Sequence, residues 1–314
     1  MKIGIVGDLH IAPIPDKRID DYFQAGLDKI EQIAKYCDKI IFLGDIFTSA
    51  RVDERYVYSL IQHLNFCKNM YKVEFYTIIG NHDVVHEDEN NLQDSSLGIL
   101  SIAGAIKIIT PEQPLLIDKY CFNTIPVNYK KAKEFIENVN YNSSTITEVL
   151  LVHHEYETGT NCFMYEDFKN LGCKMVFLGH DHKPFEQGRI IYPEFTIYRS
   201  GSIMRNRADD YNFTRTLYYP VIDTDLKGTD KEVHCEVVQC KPAQDVFKIE
   251  AITKQNYKKE KFVEALDQVI DKYKSNISTQ SRFSINTILQ ELGAPEKVIM
   301  GIRKKYEKFN ETFN

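Results

Sequence analysis

Five short apolar runs, at 2–6, 39–43, 75–79, 148–152 and 174–178, set the rhythm of this chain, and each ends abruptly in a glycine or histidine followed by a polar residue. Near-continuous apolar runs of this length predict strands buried on both faces rather than half-exposed ones. Between the first three lie helical spacings. Tyr22, Leu27, Ile30, Ile33 and Ala34 share one face of a helix expected over 20–36, and Val57, Leu60, Ile61 and Leu64 one over 53–70. A βαβ rhythm of this kind predicts an α/β fold with a mainly parallel inner sheet and helices packed outside. After residue 106 the texture turns to strands, at 106–109, 115–117 and 121–127, with a helix at 130–139 ahead of the run at 148–152. Past 182, short antiparallel strands are expected at 189–192, 196–198, 214–223 and 232–239, with a turn at 227–230. Near Lys241 the pattern changes again: 257–274 and a pair across 284–309, broken at 292–295, read as helices. The expected organisation is therefore a catalytic domain over 1–240 and a helical segment over 241–314, joined near 241–255.

Composition narrows the class. At 314 residues with 43% apolar and 12% aromatic side chains, the chain can bury a sizeable core. No apolar stretch approaches the length that crosses a bilayer, so no membrane role is expected, and the opening residues read as a buried strand rather than a signal peptide. Seven cysteines, an odd number without paired spacing, fit free thiols in a reducing cytoplasm. The net charge of −6 is uneven. Residues 241–314 carry 14 basic against 10 acidic side chains, leaving 25 against 35 in residues 1–240. An acidic body suits cation binding, and a polyanionic substrate must then be met by local cations, by metal, or by the C-terminal segment.

The candidate chemistry sits at the strand ends. Asp8 and His10 follow the first strand, Asp45 the second, and Asn81, His82 and Asp83 the third; His153 and His154 follow the fourth, and His180 and His182 the fifth. Carboxylates and imidazoles from distant strand ends are the donors expected for a site holding two divalent ions, with manganese, iron and zinc all acceptable. Asp8 and His10 can bite one ion, Asp45 can bridge two, Asn81 offers a neutral oxygen, and His180 and His182 can each reach a different ion. Two such ions activate a bridging water and clamp a phosphate oxygen. His82, beside Asn81, is the candidate for protonating the leaving oxygen. Asp83 either orients His82 or caps the turn.

The ordered motifs Gly7-Asp8-Leu9-His10, Gly44-Asp45, Gly80-Asn81-His82-Asp83, His153 and Gly179-His180-Asp181-His182 resemble those of the calcineurin-like metallophosphoesterase superfamily, over about residues 1–225. The resemblance implies a four-layer α/β/β/α sandwich. It implies Asp8, His10, Asp45 and His182 around one ion, and Asp45, Asn81, His153 and His180 around the other, with His82 catalytic. His153 rather than His154 is taken as the ligand, because the family's ligand directly follows the apolar strand. At the second motif many phosphatases of the superfamily read Gly-Asp-X-X-Asp-Arg. Here Gly44-Asp45-Ile46-Phe47, with Arg51 further on, and Ser200-Gly201-Ser202 are similar to the SbcD-type DNA repair exonucleases. Those nucleases pair with an SMC-like ATPase, which the resemblance implies as a partner, with a homodimer through the early helices.

Other residues carry weaker signals. Arg205 and Arg207, in the cluster with Arg199 and Arg215, suit phosphodiester oxygens, as does Arg51. His154 is a candidate substrate-facing residue, and Tyr156 or Phe163 can stack on a base. His63, His86 and His234 read as packing or surface histidines. The basic tail at 303–308 follows an amphipathic stretch and is either a solvated face or a DNA- or partner-binding module. The function expected is a metal-dependent DNA nuclease. A phosphatase or phosphodiesterase of phosphoproteins, nucleotides or small phosphoesters is the alternative, and an inactive scaffold is disfavoured by the intact donor set.

Overall fold

The structure is a computed structural model, and it describes residues 1–11, 18–141, 143–157, 161–226 and 232–248. The chain divides after Phe247. The helices expected over 257–274 and 284–309, the basic tail and the turn at 227–230 lie outside the described residues.

Two six-stranded mixed sheets form the frame. The strands are β1 (Lys2–Val6), β2 (Lys39–Phe42), β3 (Glu74–Thr77), β4 (Lys107–Ile108), β5 (Leu115–Ile117), β6 (Tyr120–Thr124), β7 (Thr147–Val152), β8 (Met175–Leu178), β9 (Arg189–Ile191), β10 (Thr196–Tyr198), β11 (Leu217–Asp223) and β12 (Val233–Val238). The first sheet runs β12-β11-β1-β2-β3-β4 and the second β5-β6-β7-β8-β10-β9. β1 through β4 pair in parallel, as do β6, β7, β8 and β10. Only part of the antiparallel expectation for the later strands holds: β10 pairs antiparallel with β9 but lies parallel to β8. β11 returns beside β1, antiparallel, and the 214–223 strand starts late because Asp210–Thr214 is a short helix.

The continuous apolar runs split by residue parity. Ile3, Ile5, Ile41 and Leu43 pack against Val149, Leu151, Met175 and Phe177 in a core between the sheets. Their neighbours Ile40 and Phe42 face α1 (Tyr22–Ala34) and α2 (Glu54–Tyr71), while Leu150, Val152, Val176 and Leu178 face α4 (Tyr129–Glu137), α3 (Ser96–Ile102) packing beside α2. Alternate side chains of one strand thus serve two cores, as a strand covered on both faces requires. Each such Leu, Ile or Phe contributes roughly 1.5–3 kcal/mol by leaving water. The layering is that of an α/β sandwich, helices outside two facing sheets. Helix starts follow their caps: Asp21 accepts from the Gln24 N–H at 3.0 Å and Asp53 from the Arg55 N–H at 2.9 Å.

Candidate metal centre

Parallel strands that point the same way deliver their C-terminal ends to one rim, and loops leaving that rim carry every donor picked out above. β1 leads to Asp8 and His10, β2 to Asp45, β3 to Asn81 and His82, β7 to His153, and β8 to His180 and His182. The turns are tight. His10, Asp45 and His180 adopt left-handed backbone conformations with φ of 47°, 49° and 74°. Such strain gathers where surrounding structure holds a side chain in place for a task. Gly44, at φ 89°, and Gly80 lie against each other, and a Cβ on Gly80 would collide with the Asp45 carboxylate. These two positions need glycine.

The donors meet in two groups around one oxygen. Asp45 Oδ2 lies 3.4 Å from His10 Nε2 and 3.2 Å from His153 Nε2. His10 Nε2 faces His182 Nε2 at 2.9 Å. On the other side Asn81 Oδ1 lies 3.0 Å from His153 Nε2 and 3.1 Å from His180 Nδ1. Asp8 Oδ1 accepts from the His180 N–H at 3.1 Å, and Asp8 Oδ2 is buried without a hydrogen-bond partner.

This arrangement fits two cations. His153 Nδ1 lies 2.6 Å from the Leu43 carbonyl and must donate to it, so His153 Nε2 turns a lone pair toward the Asp45 and Asn81 oxygens. Three acceptors in contact require a positive centre among them. In the metal-free protein a proton serves. Burial opposes charge on His153, but the adjoining Asp45 carboxylate outweighs it and pushes the ring up to about 10. Burial likewise favours a neutral Asp45, yet His153 holds its carboxyl below the usual range. A metal ion displaces that proton, as binding to imidazole and carboxylate generally does. Burial pushes His10 down to about 4 and lowers His180 and His182, which keeps those rings neutral and free to ligate.

His82 and Asp83 part company. His82 Nδ1 lies 2.8 Å from the Thr48 carbonyl, which orients the ring. A donor atom of the exposed His82 lies within 4.8 Å of the His10 and Asp45 donor atoms. Asp83 is buried, and its carboxylate accepts backbone N–H groups of Asp45, Gly80 and Ile46 at 2.8, 2.9 and 3.1 Å. The turn-capping reading of Asp83 is therefore the one its contacts carry. It locks the second motif to the third, and among the described residues no hydrogen bond joins its carboxylate to the His82 ring.

The arginines also divide. Arg205 is buried, with its terminal nitrogens on the Arg215 and Lys241 carbonyls at 2.8 and 3.2 Å. Arg51 donates to the Asp94 carbonyl at 3.0 Å and is absent from the cleft lining. Neither lines the metal cleft: Arg51 Nε and the terminal nitrogens of Arg205 are bonded to carbonyls that no strand pairs, while Arg205 Nε keeps no partner among the described residues. Arg207 is exposed on the wall of a cleft of 510 Å3, shared with His10, His82, Lys183 and Arg199. His154 is buried, its Nε2 donating to the Pro126 carbonyl at 2.8 Å, and its ring edges Phe163 and Tyr129. It borders a second hollow of 260 Å3 with Asn81, Tyr129 and Asn161. Tyr156 and Phe163 are core residues, so base stacking by either is also corrected.

Several supports escaped sequence reasoning. The Asn206 amide lies 3.2 Å from His182 Nδ1, and Ser202 Oγ donates to the Asp8 carbonyl at 2.8 Å. Arg215 holds the His182 carbonyl at 3.2 Å, and Arg199 pairs with Asp181 at 2.6 Å. Such partners orient metal ligands. The sole signal for them was Ser200-Gly201-Ser202 and its flanking arginines, which do not say which carbonyl each side chain meets.

Comparison with solved structures finds similarities at low identity. A dimetal phosphatase from Danio rerio is 11% identical, with a TM-score of 0.43 over 70% of this chain and 91% of that one. A protein from Thermus thermophilus is 11% identical, with a TM-score of 0.40 over 76% and 100%. Vps29 from Entamoeba histolytica is 11% identical, with a TM-score of 0.36 over 77% and 100%. No curated protein matches the chain. The family model for calcineurin-like phosphoesterases matches residues 1–184, which span the first three motifs, His153 and both histidines of the last. The chain therefore belongs to the calcineurin-like phosphoesterases and is a metal-dependent phosphoester hydrolase.

Proposed function

We propose that this hydrolase is a DNA nuclease of the SbcD type, with manganese as its metal. The observation that favours a diester is the room on both sides of the donors. The 510 Å3 cleft and the 260 Å3 hollow share Glu155 and His180, so a phosphorus held at the rim has space for a substituent in each direction. A phosphomonoester needs space on one side only. Lys183 and Arg207 line the larger cleft and supply cations along it, beside Arg199, which is paired with Asp181.

Two divalent ions, held by Asp8, His10, Asp45 and His182 and by Asp45, Asn81, His153 and His180, would supply an activated water and neutralise phosphoryl charge. The chain does the rest. Thr48 fixes His82 through Nδ1, leaving Nε2 to pass a proton to the leaving oxygen. Asp83 and Gly80 hold the Asp45 loop against the Asn81 loop. Arg207 and Lys183 bind flanking phosphates.

The proposal includes residues 1–240 as the catalytic domain and a cytoplasmic location. It also includes an SMC-like ATPase as partner, with the net-basic residues 241–314 meeting DNA or that partner. Tyr58, Phe66, Met70, Ile99 and Ile102, apolar and exposed on α2 and α3, support pairing of two copies. No helix among the described residues is long and apolar enough to cross a membrane.

The test is incubation with manganese and linear DNA, alone and with a co-expressed ATPase, beside a chromogenic phosphodiester. Degraded DNA supports the reading. Intact DNA in both conditions, with the small diester hydrolysed, removes it in favour of a phosphodiesterase of small substrates.

A further inference from the structure

A third cavity, of 310 Å3, lined by none of the metal donors, lies between α1 and the segments around Arg205 and Lys241. Its walls carry four cations, Arg18, Lys29, Arg205 and Lys241, and two carboxylates, Asp20 and Asp28. The carboxylates are engaged. Both Asp20 oxygens accept from Arg18, at 2.8 and 2.6 Å, and Asp28 accepts from Gln24 at 2.7 Å. Lys29 is not so served. It is 5% exposed, its Nζ meets Met204 Sδ at 3.3 Å, and it pairs with no carboxylate among the described residues. A thioether is a weak acceptor. Arg205 Nε is likewise buried with no hydrogen-bond partner among the described residues. Burial pushes Lys29 down to about 8, which still leaves it mostly protonated at neutral pH. Two buried cationic donors with unmet hydrogen bonds, on two separate segments, are a costly arrangement unless an anion completes it.

We infer that this cavity binds a small phosphoryl oxyanion, held by Lys29 Nζ and Arg205 Nε within the field of Arg18 and Lys241. Its volume lies at the small end of ligand pockets, roughly 300–1,000 Å3, which suits a phosphate or a mononucleotide better than a longer chain. The site connects to the metal rim through a short path. The Met204 N–H donates to Ser202 Oγ at 3.0 Å, and Ser202 Oγ donates to the Asp8 carbonyl at 2.8 Å. The inference stands apart from the nuclease reading, since it uses no metal ligand and no substrate.

Calorimetric titration of the full chain, with metal removed by a chelator, tests it with inorganic phosphate in one arm and adenosine monophosphate in the other. One site is expected in at least one arm, weakened about tenfold or more by Lys29→Met and retained by His82→Ala. The tighter arm identifies whether free phosphate or a nucleotide phosphoryl is the natural source. Binding in neither arm, or equal binding by Lys29→Met, overturns the inference. Should Lys29→Met fail to fold, amine labelling of the unaltered protein followed by mass spectrometry decides the matter. Phosphate or the mononucleotide must protect Lys29 from the reagent, and unchanged labelling with both overturns the site.

Discussion

The metal rim and the arginine loop after β10 look alike in sequence, each a cluster of side chains suited to phosphate chemistry, yet in space they differ in what faces what. On the rim, acceptors crowd one another: Asp45 Oδ2 and Asn81 Oδ1 lie 3.2 and 3.0 Å from the same imidazole nitrogen. In the loop, the terminal guanidinium nitrogens meet acceptors: Arg215 binds the Met204 carbonyl at 2.6 Å and the His182 carbonyl at 3.2 Å, and Arg205 binds the Arg215 carbonyl, with only Nε atoms left unpartnered among the described residues. Unmet demand marks a place for a ligand, while satisfied bonds mark architecture. By that criterion the terminal nitrogens of Arg215 and Arg205 belong to the scaffold, and Asp8, whose unpartnered Oδ2 lies among the gathered donors, belongs to the site.

The sharpest way to break this contrast is at the shared oxygen. Asp45→Ala is expected to lose bound metal and to lower turnover about 10³-fold or more. Elemental analysis beside a phosphodiester assay checks this, and full metal content in the variant would contradict the assignment. His82→Ala comes next. It should keep both metals and lose about 10²–10⁴ in kcat, the usual worth of a positioned proton donor. Because a His82 donor atom lies within 4.8 Å of those of His10 and Asp45, metal loss equal to that of Asp45→Ala would instead make His82 a ligand.

On the scaffold side, Arg215→Ala removes two hydrogen bonds from a buried guanidinium to the Met204 and His182 carbonyls, each of which keeps a donor from Ser202, and should cost about 1.5–3 kcal/mol of stability. Chemical denaturation measures it. A stability loss within error would mean that the loop holds without this residue, and the contrast between rim and loop would fail.

What the sequence made legible follows the same division. The strands and their donors were readable because a buried strand ending in glycine and an acid or imidazole is a local pattern. The helix expected over 53–70 is Glu54–Tyr71, and that over 130–139 is Tyr129–Glu137, each set by a nearby cap. The Ser96–Ile102 helix was missed; it spans seven residues between loops, too few for a helical stripe to show. The contacts of Arg205, Arg51 and Asp83 were not legible, for one physical reason. Their partners are backbone groups of distant segments, and every residue carries the same carbonyl and N–H, so side-chain identity says nothing about where such bonds form.

His154 offers a smaller test through pH. Burial keeps its ring at about 4 in the folded protein, below its ordinary 6.5. A histidine depressed in this way stays neutral when the unfolded chain takes up a proton. Its contribution to stability is therefore complete above pH 6.5 and declines as pH falls toward 4, by at most about 1.4 kcal/mol per pH unit. His154→Gln should flatten that part of the stability profile relative to the unaltered protein at the same metal load. An unchanged slope would mean that the ring titrates normally and is more open to water than its contact with Pro126 implies.

The least effect is expected at Arg207, and it separates the exposed arginine of the cleft wall from its more buried neighbours. Arg207 is exposed, so Arg207→Ala should leave stability within about 0.5 kcal/mol, unlike Arg215→Ala. An exposed cation contributes about 0.2–1 kcal/mol to an ion pair, which on the proposed nuclease reading corresponds to a rise in KM for DNA of about 1.4- to fivefold with kcat unchanged. A cation that neutralises one backbone phosphate also carries a salt signature: the slope of log affinity against log salt should fall by about one. Measuring DNA binding at several salt concentrations separates this from a loss of packing, which leaves the slope unaltered. If Arg207→Ala changes stability rather than the salt slope, the loop is architectural throughout, and Lys183 is left to meet the flanking phosphates.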